Sequence, residues 1–282
     1  MLFRSPILAA CLLAIFTLPA SADSNNATVM TTVKPMAMLL RAIAPASVEV
    51  AYLVRDGHSG HHYHMRPSEG RALQQSRQFY WLGAEFEPIM SKAAQHPSSV
   101  NLTQGLANMP TLTKGGSHLW MNPVTAMALA ESAASSLTSA YPDNAEEIAA
   151  NLAALKQQVA TIDQQLRADL SDSQQRDFVA LHDAYGNLAS HYGLTQLAAF
   201  YGEHEQSLGA ASRAALQQQL QGVDNVCIFS QPQFALKPVE TLLADHQLTV
   251  LELDPLAADI EFSSHGFQQF MQHIGRELPK CF

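Results

Sequence analysis

The sequence predicts an α/β protein built on parallel sheets, with enough chain for two domains. Three observations carry this. Short β-rich runs alternate with helical patterns from Ala27 to about Gln95, a long periodic helical segment begins at Pro142, and the alternation resumes after Asp172. Such alternation is the mark of parallel strands joined by crossover helices. With 282 residues, 47% of them hydrophobic, the chain can bury a sizeable core, and its length suits two domains better than one.

The elements follow in order. Ala27–Val33 is a short β-rich run, and Pro35 opens a helical pattern to Ala44. Val48–Val54 is a second strand, Pro67-Ser68 starts a helix with Ala72 and Leu73 inward, Gln78–Leu82 is a third strand, and Glu87-Pro88 opens another helix. The polar stretch Asn101–Ser117 reads as a loop. Asn122-Pro123 begins a helix to about Ser139. From Pro142 to Leu170, Ile148, Leu152, Leu155, Val159, Ile162 and Leu166 recur by three and four, forming one apolar seam. A helix of that length, about 40 Å, either bridges two domains or packs as an ordinary amphipathic helix. Phe178–Leu181, Leu194–Phe200, Val226–Ser230 and Leu248–Leu253 are further strands. Helical patterns follow near His191, Ala211–Gln221, Pro238–His246 and His265–Glu277.

The first residues read as an export signal. Arg4 supplies the positive charge, Ile7–Leu18 is an apolar run too short to span a bilayer of about 30 Å, and Ala20-Ser21-Ala22 is an A-x-A cleavage site. A rival is a lipoprotein signal at Leu8-Ala9-Ala10-Cys11, but the apolar run continues past Cys11. Cleavage after Ala22 leaves Cys227 and Cys281, an even pair that reads first as a disulfide in an oxidising compartment.

The net charge of −9 makes nucleic acid a poor partner, since phosphate binding wants a basic face. Twelve histidines against sixteen Lys and Arg are more informative, because imidazole is the commonest metal ligand near neutral pH. The densest signal is His58, His61, His62 and His64, directly after the second strand. Open α/β sheets bind ligands beyond the carboxyl ends of their strands, so the position suits a site. His182 leaves another strand, His118 sits at a loop-to-helix junction, and Asp254 ends the strand Leu248–Leu253. Taken singly, His182 is better read as a hydrogen-bonded core histidine and Asp254 as a turn or cap residue. Taken together, His61, His118, His182 and Asp254 make a legitimate tetrahedral zinc set.

These residues carry a family resemblance. His61-His62-Tyr63-His64-Met65-Arg66-Pro67-Ser68 is similar to H-D-Y-S-L-R-P-S, and His118-Leu119-Trp120-Met121-Asn122-Pro123 to H-[IL]-W-x-[DS]-P. His182-Asp183-Ala184-Tyr185-Gly186 matches H-D-A-Y-G. Cys227-Ile228-Phe229-Ser230-Gln231-Pro232-Gln233-Phe234 is close to C-V-F-x-E-P-Q-F, and Leu253-Asp254-Pro255-Leu256 matches L-D-P-L. These are motifs of the cluster A-I metal-binding proteins of bacterial ABC importers, and the chain most resembles the zinc-binding ZnuA type. The resemblance implies a TroA-like architecture of two α/β domains joined by one long helix. It places a leader at 1–22, an N-terminal domain at 23–141, a linking helix at 142–171 and a C-terminal domain at 172–282. It also implies Zn²⁺ held by His61, His118 and His182, and a periplasmic, non-catalytic monomer that delivers the ion to a membrane permease. Histidine at the third ligand position goes with zinc, whereas a carboxylate there goes with manganese or iron. Cys281 sits where this branch has its second cysteine.

Two departures matter. The glutamate that some zinc members carry before the first ligand is Gly60 here, leaving Asp254 or water as fourth ligand, with Asp254 favoured because it also neutralises charge. The histidine-rich loop of many members would fall in Asn101–Ser117, which has no histidine. His58, His62 and His64 are then either an auxiliary capture cluster or solvated surface. Zinc binding is expected to release protons and weaken as pH falls through the histidine range. A periplasmic zinc chaperone or buffer and, less well, a zinc hydrolase are the alternatives. The hydrolase lacks an H-E-x-x-H motif and an evident general base.

Overall fold

The computed structural model describes residues 28–104, 106, 115–172 and 176–282. The expected leader, with Cys11 and Ala20-Ser21-Ala22, lies outside them, as do residues 105 and 107–114 of the expected loop. The first lobe runs β1 (Thr28–Thr31), α1 (Lys34–Ile43), β2 (Glu49–Tyr52), α2 (Pro67–Gln75), β3 (Gln78–Trp81), β4 (Ser99–Asn101) and α3 (Pro123–Ala140). After α4 (Ala145–Asp169) come β5 (Asp177–His182), α5 (Gly186–Tyr192), β6 (Thr195–Tyr201), α6 (Ala210–Gln219), β7 (Asn225–Ser230), α7 (Lys237–Leu242), β8 (Gln247–Glu252) and α8 (Gly266–Glu277). Among the described residues no helix is long and apolar enough to cross a membrane.

Each sheet has four strands, all parallel, in the orders β2-β1-β3-β4 and β6-β5-β7-β8. In both, the second strand adds to one side of the first and the third to the other. Connections therefore diverge between β1 and β3 and between β5 and β7, which opens a crevice at the carboxyl ends. β5 shows why such a strand is central. Phe178 and Ala180 point into one buried cluster, Val179 and Leu181 into another, and none is more than 1% exposed.

α4 carries the apolar seam read from the sequence. Ile148, Leu155, Val159 and Leu166 are buried, and Leu152 and Ile162 pack against the same core. The helix begins later than the periodicity suggests, because Pro142–Asn144 forms a separate 3-10 turn. Glu87-Pro88 likewise opens a 3-10 helix, Pro88–Gln95, in place of the expected α-helix. β4 was not expected. Three half-buried edge residues, Ser-Val-Asn, show no alternation to detect. α8 packs against α1 and α4, so the chain end returns to the first lobe. Cys227 and Cys281 form a disulfide that fastens this end to β7.

Candidate metal centre

The two crevices face each other across one cavity of about 80 Å³. Val33 follows β1, Gly60 and His61 follow β2, and Phe86–Met90 follow β3. His182 ends β5, His204 and Glu205 follow β6, Gln231, Gln233 and Phe234 follow β7, and Pro255 and Leu256 follow β8. His118 and Trp120 complete the lining from the entrance to α3.

Local structure fixes each histidine. His182 is held at the strand end where Asp183 N donates to Tyr201 O at 2.9 Å and Ala184 N to His182 O at 2.8 Å. His118 precedes a 3-10 turn, Leu119–Met121, that runs into α3. Asn122 caps α3 by accepting from Val124 N and Thr125 N, and Pro123 occupies its first turn. His61 lies in the β2–α2 loop, its N–H donating to Ser59 Oγ at 3.0 Å.

The three rings form a nearly equilateral triangle. Centroids are 5.4 Å apart for His61–His118, 5.5 Å for His61–His182 and 5.5 Å for His118–His182. The centre of such a triangle is about 3.1 Å from each centroid, and a Zn–N bond of about 2.0–2.1 Å puts an imidazole centroid at about that distance. The ring positions thus suit one ion. The donor atoms are not drawn onto it. Among the described residues no three or more His, Cys, Asp or Glu side chains are arranged to hold a metal without adjustment. His182 Nε2 donates to Glu203 O at 3.1 Å, and its Nδ1 accepts from the Gln231 amide at 3.3 Å. A turned-over Gln231 amide would accept from Nδ1–H instead and free Nε2 for an ion. His118 Nδ1 is buried with no hydrogen-bond partner, the kind of orphan that a metal explains.

Burial disfavours the charged form of all three rings. It pushes His61 down to about 4, helped by the neighbouring His182. It holds His118 well below the usual range, with His182 and His61 adding to the effect. His182 is also lowered by burial, against the pull of the Glu203 carbonyl and nearby carboxylates. All three are neutral near pH 7, the state that coordinates a cation.

Asp254 follows β8, next to Pro255 and Leu256 of the cavity lining. Its carboxylate accepts from Leu256 N at 3.0 Å, Ala258 N at 2.9 Å and Gln233 Nε2 at 3.3 Å, which fixes its own turn. Burial raises its pKa despite those bonds. His58, His62 and His64 line an outer depression with Arg55 and Arg66, both paired to Glu69, and with Glu205. Sequence reasoning missed three groups. Glu87 lines the cavity, accepts from Leu82 N at 2.7 Å and is pushed up to about 7 by burial. Glu203 and His204 belong to the turn after β6. The available signal was positional, since His204 lies in the loop directly after β6, beyond the carboxyl end of that strand.

Contacts between the lobes close the cavity. Trp120 Nε1 donates to Pro255 O at 2.7 Å, Lys34 Nζ to Ala258 O at 2.8 Å, and Ser117 N to a Glu203 carboxylate oxygen at 2.7 Å. A Cβ on Gly115 would lie 2.5 Å from the Asn187 side chain, so only glycine permits that approach.

The fold has known counterparts. The family model described as zinc-uptake complex component A, periplasmic, matches residues 29–281. The high-affinity zinc uptake system protein ZnuA of Haemophilus ducreyi is 25% identical over 313 aligned residues, covering 99% of each chain. The protein of the same description from Yersinia pestis is 25% identical over 291, covering 91% of each. A ZnuA deletion mutant with zinc bound superposes with a TM-score of 0.75 at 24% identity, covering 91% of this chain and 98% of that one. The periplasmic zinc-binding protein TroA of Treponema pallidum gives 0.78 at 19%, covering 91% and 99%. At these identities the structural likeness establishes the fold. Because the family model spans nearly the whole chain, the chain belongs to the ZnuA family, component A of periplasmic zinc-uptake complexes.

Proposed function

We propose that the cavity captures one Zn²⁺ on His61, His118 and His182 and releases it to the membrane permease of an ABC importer. The observation that carries this reading is the triangle of three neutral, largely desolvated imidazoles at ion-centred spacing. His61 and His118 come from one lobe and His182 from the other, so parting the lobes divides the ligands two against one. A permease that binds the parted form better than the closed one lowers zinc affinity by that difference. The Trp120–Pro255 and Lys34–Ala258 bonds are then the contacts broken on docking.

Residues 1–22 serve as a cleaved export signal, the mature protein acts as a monomer, and its task is transfer without catalysis. Asp254 or water is the fourth ligand that the motifs suggest. Asp254 Oδ1 accepts from Leu256 N and the Gln233 amide, while Oδ2 accepts from Ala258 N and keeps a lone pair. His58, His62 and His64 act at most as a weak outer capture cluster, and Glu205 lines both that depression and the inner cavity. Competition titration with a zinc chelator tests the reading. One tight equivalent is expected, lost in His182→Ala and retained in His62→Ala. Equal losses would mean that the outer cluster holds the ion. Tighter binding of manganese than zinc would overturn the reading.

A further inference from the structure

One turn, Gly202–Ser207, reaches all three histidine-bearing segments. The Glu203 carboxylate accepts from Ser117 N, beside His118, and its carbonyl accepts from His182 Nε2. The His204 ring stands 5.7 Å from His61 at an interplanar angle of 81°. A Glu205 carboxylate oxygen lies 3.4 Å from His62 Nε2. Glu205 adopts a φ of 61°, a left-handed conformation that a glutamate holds only when its surroundings impose it. Two bonds impose it here, Glu205 N to Gly202 O at 2.7 Å and Gly202 N to Gln206 O at 2.9 Å.

We propose that His204 is the fourth protein ligand of the captured ion. The inference rests on the three-histidine reading above. His204 lines the same cavity, and its distance from His61 nearly equals those within the triangle. Among the described residues no hydrogen bond engages either of its nitrogens, so its ring is free to turn. The rival Asp254 has its carboxylate committed to two backbone N–H groups and an amide. On the opposite rim, Gly60 offers no side chain. The turn carrying His204 already bonds to the segments of His118 and His182, so a ligand on it closes the site from the solvent side. Four imidazoles then divide evenly between the lobes. The ion's charge is balanced from outside the shell by Glu203 and Glu205. An all-nitrogen tetrahedral site suits zinc and disfavours manganese, which prefers oxygen.

X-ray absorption on the zinc-loaded mature protein tests this. Four imidazole nitrogens at about 2.0–2.1 Å are expected. In His204→Ala the imidazole scattering falls to three rings and a light oxygen ligand appears. Competition titration then shows affinity about 10–100-fold weaker, since water takes the exposed position. His204 lies on a surface turn, and unchanged melting of the zinc-free variant separates ligand loss from misfolding. Three imidazoles in the unsubstituted protein would overturn the proposal. So would an affinity of His204→Ala within about twofold of the parent, or loss of the fourth ligand in Asp254→Asn instead. Those failures leave His182→Ala zinc-deficient. If His182→Ala keeps its zinc, the three-histidine reading itself fails.

Discussion

Acidification separates this site from an assembly of ordinary histidines. At pH 5.5 an imidazole with a pKa of about 6.5 is about one-tenth neutral, so three independent ones would weaken zinc binding about 1000-fold. His61 is held at about 4 by burial and by His182. A group at that value stays almost wholly neutral at pH 5.5 and contributes almost no loss. His118 and His182 shift in the same direction. Zinc affinity is therefore expected to fall much less between pH 7.5 and 5.5 than for three ordinary imidazoles, with His61 protonating only as pH approaches about 4. This moves the window below the ordinary histidine range suggested by the sequence. Zinc-free stability follows with the same sign. The unfolded chain takes up protons first as pH falls through about 6.5. The stability contributed by neutral His61 is thus present above that pH and disappears as pH falls towards about 4. Competition titration across pH, with the chelator's own protonation corrected, measures the binding curve. A decline of several orders of magnitude between pH 7 and 5.5 would refute the argument that burial keeps the ligands neutral.

Three further outcomes follow from packing and chain connectivity. The double variant Cys227→Ser/Cys281→Ser opens a link between residues 54 apart in sequence. Denaturant unfolding is expected to show a loss of about 4 kcal/mol. Leu155→Ala, on the buried seam of α4, should cost about 2–5 kcal/mol, whereas Lys156→Ala removes only an exposed pair with Glu131 and should cost less than about 1 kcal/mol. Trp120→Phe removes the donor to Pro255 O across the lobes. If that bond holds the closed form by about 1 kcal/mol, zinc affinity drops about fivefold in the same titration, and an unchanged affinity would free the bond of that role.

Much of the fold was legible because its signals are local. Asn122-Pro123 announces the start of α3 by chemistry that the structure realises, a side-chain cap followed by a first-turn proline. The seam of α4 was legible by period, and the central strands by their unbroken apolar runs. β4 was illegible because an edge strand of three residues has no period. The 3-10 geometry of Pro88–Gln95 was hidden because it shares its opening proline with an α-helix. His61, His118 and His182 could be singled out because each stands in a motif of recognisable spacing. His204 and Glu205 sit in a short polar turn that reads as a connection. Their proximity to the cavity arises only when two sheets are brought face to face, which no single segment encodes. Asp254 carries two signals at once, since its place in a motif suggests a ligand and its hydrogen bonds form its own turn.

The central claim is that one ion sits between His61, His118 and His182. Anomalous diffraction at the zinc edge from crystals of the zinc-loaded mature protein tests it most directly. One strong peak is expected, within about 2.0–2.1 Å of a nitrogen of each ring. A principal peak in the outer depression beside His58, His62 and His64, with none between the lobes, would contradict it.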